Sequence, residues 1–283
     1  MVNLARRYHE QMSTDSSLPL SGRTAVITGV SRRKGIGFAI ASRMAKMGAN
    51  LFLHHYAPHD ENQPWGADSI DELTRDLAGM LADGARLEHA GIDLAPASGA
   101  ARLIQTAREA FGHLDVLCCN HALSGSDGRL MEMTAEKLDA HWQVNSRSTL
   151  LATRYFAEQH DGRAGGRVIW MTSGQIEGPM SSEIAYATSK AALAGITASV
   201  ANDLIDHGII LNTVNPGPVN TGYLDEGTTD RPSEVLKSVL AHCPTGRFGE
   251  PDDPARLIGW LASDEGRWMV GQVLSTEGGF RRW

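Results

Sequence analysis

The 283-residue sequence predicts an α/β fold, a single doubly wound domain built on a seven-stranded parallel sheet. Three observations carry that prediction. Short β-rich runs alternate with helical stretches from Thr24 onward. A glycine-rich turn lies between the first strand and the first helix. The hydrophobic content of 42% over this length supports one large core, and no break in composition suggests another.

The elements follow in order. TAVIT at 24–28 is the first strand, with a helix over 36–47. LFLHHY at 51–56 runs into a polar, proline-containing insertion at 54–66 and then a helix over 67–82. RLEHAGI at 86–92 precedes a helix over 97–111, and DVLCC at 115–119 precedes a long helix over 134–160. RVIWMT at 167–172, a helix near 185–206, IILNTV at 209–214, a loop-rich stretch over 216–250, a helix near 252–263 and VGQVLS at 270–275 complete the series. Strands that alternate with helices in this way build βαβ units, with helices on both faces of a parallel sheet. Residues 1–20 read as a surface arm and 21–283 as the domain.

Composition excludes several function classes. A formal net charge of -7 argues against a nucleic-acid partner. Cys118, Cys119 and Cys243 cannot build a disulfide framework or a thiolate cage. Arg6, Arg7, Glu10 and Asp15 interrupt the first twenty residues, which lack the apolar core of a secretory signal, and no later apolar run reaches membrane-spanning length. The expected location is therefore cytoplasmic. His54, His55, His59 and Asp60 form a cluster, but no second ligand group stands at a convincing spacing, so no metal is expected.

In an open parallel sheet, ligands sit beyond the carboxyl ends of the strands, where strand order reverses. The first strand runs into TGVSRRKGIGFAIA, which supplies Gly29, Gly35 and Gly37 before a helix that opens at Ile36. Glycines permit the tight turn, and the free N–H groups of the helix terminus suit a pyrophosphate, so the sequence predicts a Rossmann-type dinucleotide site. The second strand ends in His54, His55 and Tyr56, without the acidic residue that would hold a bare ribose diol. With Arg32, Arg33 and Lys34 in the turn, this favours a 2′-phosphate and hence NADP(H) over NAD(H). Asp60 or Glu61 folding back to take a diol is the alternative.

The fifth strand ends at Ser173, and Tyr186 opens a helix with Lys190 four residues on, sharing its face. A free phenol has a pKa near 10 and needs a neighbouring cation to act as a base at neutral pH. Lys190 is that cation. Tyr186 is then the group that moves a proton to or from a substrate oxygen while hydride passes to or from a nicotinamide, with Ser173 bonding the same oxygen.

With these residues in place, the chain from about 22 to 280 resembles the short-chain dehydrogenase/reductase family. The resemblance rests on the TG…GIG turn, YATSK at 186–190, GIDL at 91–94, DVLCCNHA at 115–122, VNSRS at 144–148 and NPGPVNT at 215–221. It implies that Asp93 contacts the adenine and that Asn120 stabilises the sheet centre near the ribose. It also implies a Ser173–Tyr186–Lys190–Asn145 tetrad, in which Asn145 holds a water that relays protons to Lys190. Pro216, Gly217 and Thr221 would cradle the nicotinamide carboxamide. Ser31, Ile36, His55, Leu94 and Val219 complete the expected cofactor contacts. Two features depart from the family pattern: the glycine turn is two residues longer than usual, and His121 stands in Cys119-Asn120-His121-Ala122 where the usual run is Asn-Asn-Ala-Gly.

The resemblance also implies a homodimer or homotetramer. Three intervening residues between tyrosine and lysine favour C=O over C=C reduction, and a 3-oxoacyl thioester, a sugar or polyol, and a natural-product ketone all fit as substrate. A catalytically silent dinucleotide-binding sensor is the competing class, and the intact proton relay speaks against it.

Overall fold

The computed structural model describes residues 18–229 and 232–281. The described strands are β1 (Thr24–Ile27), β2 (Asn50–His55), β3 (Leu87–Gly91), β4 (Val116–Cys119), β5 (Gly166–Met171), β6 (Ile209–Asn215) and β7 (Val273–Ser275). They form one sheet in the order β3-β2-β1-β4-β5-β6-β7, and every pairing is parallel. Strand order reverses between β1 and β4, which places the switch point at the ends of those two strands.

Alternation along each strand divides the core in two. Ala25 and Ile27, Val116 and Cys118, and Ile169 and Met171 point to one face, where helices α1 (Ile36–Lys46) and α9 (Asp252–Ala262) cover them. Val26, Leu117, Cys119, Val168 and Trp170 point to the other, under α4 (Gly99–Phe111), α6 (Ser148–Gln159) and α7 (Ile184–Ile205). Both faces are dry, which is why these strands read as continuous apolar runs. Trp170 is fully buried, and its indole N–H donates to the Thr153 hydroxyl at 2.9 Å.

Four expectations need correction. The insertion holds a short helix, α2 (Ala57–Glu61), with Pro58 in its first turn. The next helix, α3 (Ile70–Ala78), is shorter than expected and starts where the Ser69 side chain accepts from the Glu72 N–H. The loop-rich stretch contains α8 (Ser233–Ala241), whose apolar Val235, Leu236, Val239 and Leu240 follow helical spacing. The helix expected over 134–160 is α5 (Ala135–His141) and α6 joined by a π-helical segment, Trp142–Arg147. That extra residue per turn lies at Asn145, whose side chain is drawn to the loop after β4. Of the arm expected over 1–20, residues 1–17 lie outside the described residues. Leu20 is fully buried and belongs to the core. Among the described residues, no helix is long and apolar enough to cross a membrane.

Candidate active site

The glycine turn sets the floor of the site. Gly29 adopts φ +72°, and a Cβ there would stand 2.9 Å from the His121 Cα. A Cβ on Gly37 would stand 2.3 Å from the Gly29 carbonyl oxygen, so the first turn of α1 packs directly on the end of β1. Gly35 caps α1 without a side-chain hydrogen bond, and the first turn holds no acidic residue. Its uncapped N–H groups and positive dipole end therefore suit a pyrophosphate.

A cleft of about 1150 Å³ runs over this turn and along the carboxyl ends of the strands. Gly29, Ser31, Arg32, Gly35 and Ile36 line it from the turn, Asp93 and Leu94 from the loop after β3, and Asn120 from the end of β4. Ser173 and Tyr186 face it from β5 and α7, and Pro216, Gly217, Val219 and Thr221 from the loop after β6. Sequence positions almost 200 residues apart thus meet at one switch point.

Asn120 ties the two central strands together. Its amide donates to the carbonyls of Thr28 at 3.1 Å and Gly29 at 3.2 Å. Asp93 accepts from the Ala95 N–H at 2.8 Å, a local turn bond that leaves the residue on the cleft wall.

Two expected cofactor residues point elsewhere. His55 sits one residue past His54 and so projects from the opposite face of β2, with its Nε2 3.2 Å from Nδ1 of His89. His54 and Tyr56 line the cleft in its place. Arg33 turns outward to α3, with Nε 2.6 Å from Asp76 and Nη1 3.5 Å from Glu72, because those carboxylates crowd the first turns of that helix.

Arg32 stays over the cleft and joins three loops. Its Nε is 2.9 Å from Asp60, its Nη1 donates to the Thr221 carbonyl at 2.5 Å, and its guanidinium lies 5.3 Å from the Trp65 ring centroid. Asp60 also accepts from the Ser31 hydroxyl in a short bond, and from the Trp65 indole at 3.2 Å. Lys34 pairs with Asp225. The lengthened turn and the 54–66 insertion together roof the site.

Two buried histidines brace the floor in their neutral forms. The Ile92 carbonyl lies 2.7 Å from His54 Nε2, so that nitrogen carries the proton and Nδ1 accepts from the Gly29 N–H at 3.3 Å. Burial lowers the His54 pKa to about 4. His121 bridges the Thr28 hydroxyl, 2.6 Å from Nδ1, to the Val144 carbonyl, 3.1 Å from Nε2, and burial pushes its pKa well down too.

Both histidines bind a proton more readily in the unfolded chain. Stability should therefore fall as pH drops from about 6.5 towards 4, by roughly 3 kcal/mol for His54 alone. Thermal melts across that window check this, and a flat or rising Tm would contradict it.

At the chemical end, Lys190 is buried, and its Nζ donates to the Met171 carbonyl at 3.0 Å. The Nζ lies 5.8 Å from the Tyr186 ring centroid, the proximity that the four-residue spacing predicts. Burial lowers the Lys190 pKa to about 8. Asn145 is fully buried behind the wall. Its Oδ1 accepts from the Leu123 N–H at 2.6 Å, while Nδ2 donates to the Leu123 carbonyl at 3.1 Å and the Ser189 hydroxyl at 2.9 Å. The Asn145 side chain therefore fastens the loop after β4 to α7.

The sequence profile of the family described as Enoyl-(Acyl carrier protein) reductase matches residues 29–281. An uncharacterized oxidoreductase, YjdA, of Bacillus subtilis is 36% identical over 264 residues, which cover 92% of this chain and 97% of that one. The chain is a member of the short-chain dehydrogenase/reductase family. An NADPH-dependent aldehyde reductase-like protein of the Arabidopsis thaliana chloroplast is 31% identical over 95% of this chain and 100% of its own length. A Burkholderia cenocepacia short-chain dehydrogenase solved in complex with NADP superposes with a TM-score of 0.77 at 30% identity, covering 92% of this chain and 98% of that one.

This short-chain dehydrogenase/reductase is thus an oxidoreductase, and its site contains residues that the sequence reading did not single out. Asp127 is the clearest, because it meets α7 from 59 positions away and no periodic pattern marks it. Strand alternation alone does not choose His54 over His55, because Phe52 and Leu53 are equally buried on the two faces of β2.

Proposed function

We propose that this enzyme interconverts a ketone and a secondary alcohol with NADP(H), using Tyr186 as proton donor and acceptor. The observation that carries the proposal is that Tyr186 and Ser173 open onto the same cleft as the glycine turn, with the Lys190 ammonium buried beside the phenol. NADP(H), when bound, supplies or accepts the hydride. Ser173 holds the substrate oxygen, Tyr186 passes it a proton, and the Lys190 charge stabilises the phenolate that results. Asn145 keeps the π-helical segment in place behind them.

NADP(H) is favoured because the cleft face of the β2 end carries His54 and Tyr56, and because Asp60, the carboxylate that folds back into the cleft, is already engaged by Arg32, Ser31 and Trp65 rather than open to a ribose diol. The NADP-bound and NADPH-dependent relatives support the same choice. Around Tyr186 the lining combines Ser124, Ser126 and Ser182 with Asp127 and Glu183, and Met180, Leu224 and Val235 form an apolar wall. Such a lining suits a neutral, hydroxylated ketone better than an anionic acyl carrier. Exposed Leu138 and Trp142, adjoining on α5 and the π-helical segment, support assembly as a homodimer or homotetramer.

Titration with NADPH and with NADH, followed by a ketone panel with the tighter nucleotide, tests the reading. Selective NADPH binding with turnover is expected, and binding of neither nucleotide would overturn it. Arg32→Ala should weaken NADPH more than NADH, whereas Arg33→Ala, which breaks an exposed pair on α3, should change either Kd less than about threefold. Equal loss of both nucleotides in Arg32→Ala would remove the case for a 2′-phosphate contact.

A further inference from the structure

Asp127 lies in the loop between β4 and α5, far in sequence from the helix that bears Tyr186, yet it holds the start of that helix. Its Oδ1 accepts from the Ala185 N–H at 2.9 Å and its Oδ2 from the Tyr186 N–H at 2.7 Å. A carboxylate there meets two N–H groups of the first turn and the positive dipole end of α7, whose cap residue Glu183 makes no side-chain capping bond. Neighbouring main chain secures the same loop: the Ile184 N–H donates to the Gly128 carbonyl at 3.2 Å, and Lys137 Nζ donates to the Asp127 carbonyl at 3.2 Å.

A second, independent observation lies beneath. His141, at the end of α5, is 1% exposed, and its Nδ1 bonds the Lys137 carbonyl at 2.9 Å, so Nδ1 carries a proton. Its Nε2 has no hydrogen-bond partner among the described residues and stands 3.8 Å from Asp127 Oδ2. The His141 ring meets the Tyr186 ring edge-on, with centroids 6.5 Å apart. His59 on α2, which lines the cleft, is a further titratable group near enough to interact with His141. The approach to the carboxylate that holds Tyr186 is attractive only when Nε2 carries a proton as well, so it is as an imidazolium that His141 would pair with Asp127.

We propose that Asp127 is a positioning residue for Tyr186, kept in place by a protonated His141, so that a carboxylate and an imidazolium fix the main chain from which the phenol projects. This rests on the reading of Tyr186 as the proton-transfer group. Neither residue is required for nucleotide binding, since both lie at the substrate end.

The test uses Asp127→Asn, Asp127→Glu, His141→Gln and the double variant D127N/H141Q. D127N should lower kcat at least tenfold with the NADPH Kd within twofold of the parent. It should also shift the acidic limb of the alcohol-oxidation pH profile, where the phenol loses its proton to become the base, to lower pH, because a negative charge near the phenol is removed. D127E, which keeps the charge, should restore the parent profile. H141Q should lower kcat several-fold alone and add nothing in the D127N background. Additive losses, or a D127N enzyme with parental kcat and pH profile, would overturn the proposal.

Hydrogen exchange separates this from the reading of Tyr186 itself. The Ala185 and Tyr186 amides should exchange at least tenfold faster in D127N whatever the activity, and unchanged exchange overturns the anchoring. Full turnover by Tyr186→Phe would instead sink only the role given to the phenol.

Discussion

Lys190→Met is expected to abolish turnover and, in the nucleotide-free protein, to raise the melting temperature. The ammonium is buried, and burial lowers its pKa from the ordinary 10.5 to about 8. The unfolded chain therefore holds this proton more tightly than the folded one. The resulting penalty is full below pH 8 and fades as pH rises to 10.5. The gap corresponds to about 3 kcal/mol at neutral pH. Methionine matches the length of the stem and carries no charge, but it leaves the Met171 carbonyl without its 3.0 Å donor, at a cost of about 1 kcal/mol. The net gain of about 2 kcal/mol should raise Tm by roughly 3–4 °C in a chain of this length. Calorimetry at pH 7 and again above pH 10 checks both the gain and its disappearance. A variant that melts lower at pH 7 would show that Lys190 contributes to folding rather than opposing it.

Tyr186→Phe is expected to reduce kcat about a thousandfold, within the range that positioned proton transfer supplies. The ring, its edge-on contact with His141 and the main-chain bonds to Asp127 all persist, because only the hydroxyl is lost. NADPH affinity should stay within a few-fold of the parent, so the loss appears in kcat and in kcat/KM alike. The two variants also differ in stability: Tyr186→Phe keeps the buried ammonium and so should not show the Lys190→Met gain in Tm. Turnover close to that of the parent would move the proton-transfer role to another group on the cleft wall.

The strand order and the cleft at the β1/β4 reversal follow from features the sequence displays openly. Apolar runs between turn residues mark buried parallel strands, and a tyrosine and a lysine four residues apart can meet only if that stretch is helical. Local rules of this kind do not reach Asp127, whose partners at 185 and 186 are set by the tertiary path of the loop after β4. Nor do they reach Arg33, since its attraction to Asp76 depends on where α3 starts, and Ser69 fixes that start. The helix at Ser233–Ala241 was legible in its spacing but was hidden among the prolines and glycines around it. The π-helical segment is different in kind: nothing in WQVNSR marks an extra residue per turn until the pull of Leu123 on Asn145 is known.

Arg32 touches Asp60 of the insertion and Thr221 of the loop after β6 with one guanidinium. For anyone reshaping this enzyme, that makes the two ligand sites a single engineering problem. Substitutions chosen in the 217–229 loop to admit a bulkier ketone will also displace a bond anchored in the nucleotide turn. Whatever coupling results must act equally in both directions. A library screened for a new substrate at saturating nucleotide would conceal that exchange, whereas one screened at limiting nucleotide would expose it.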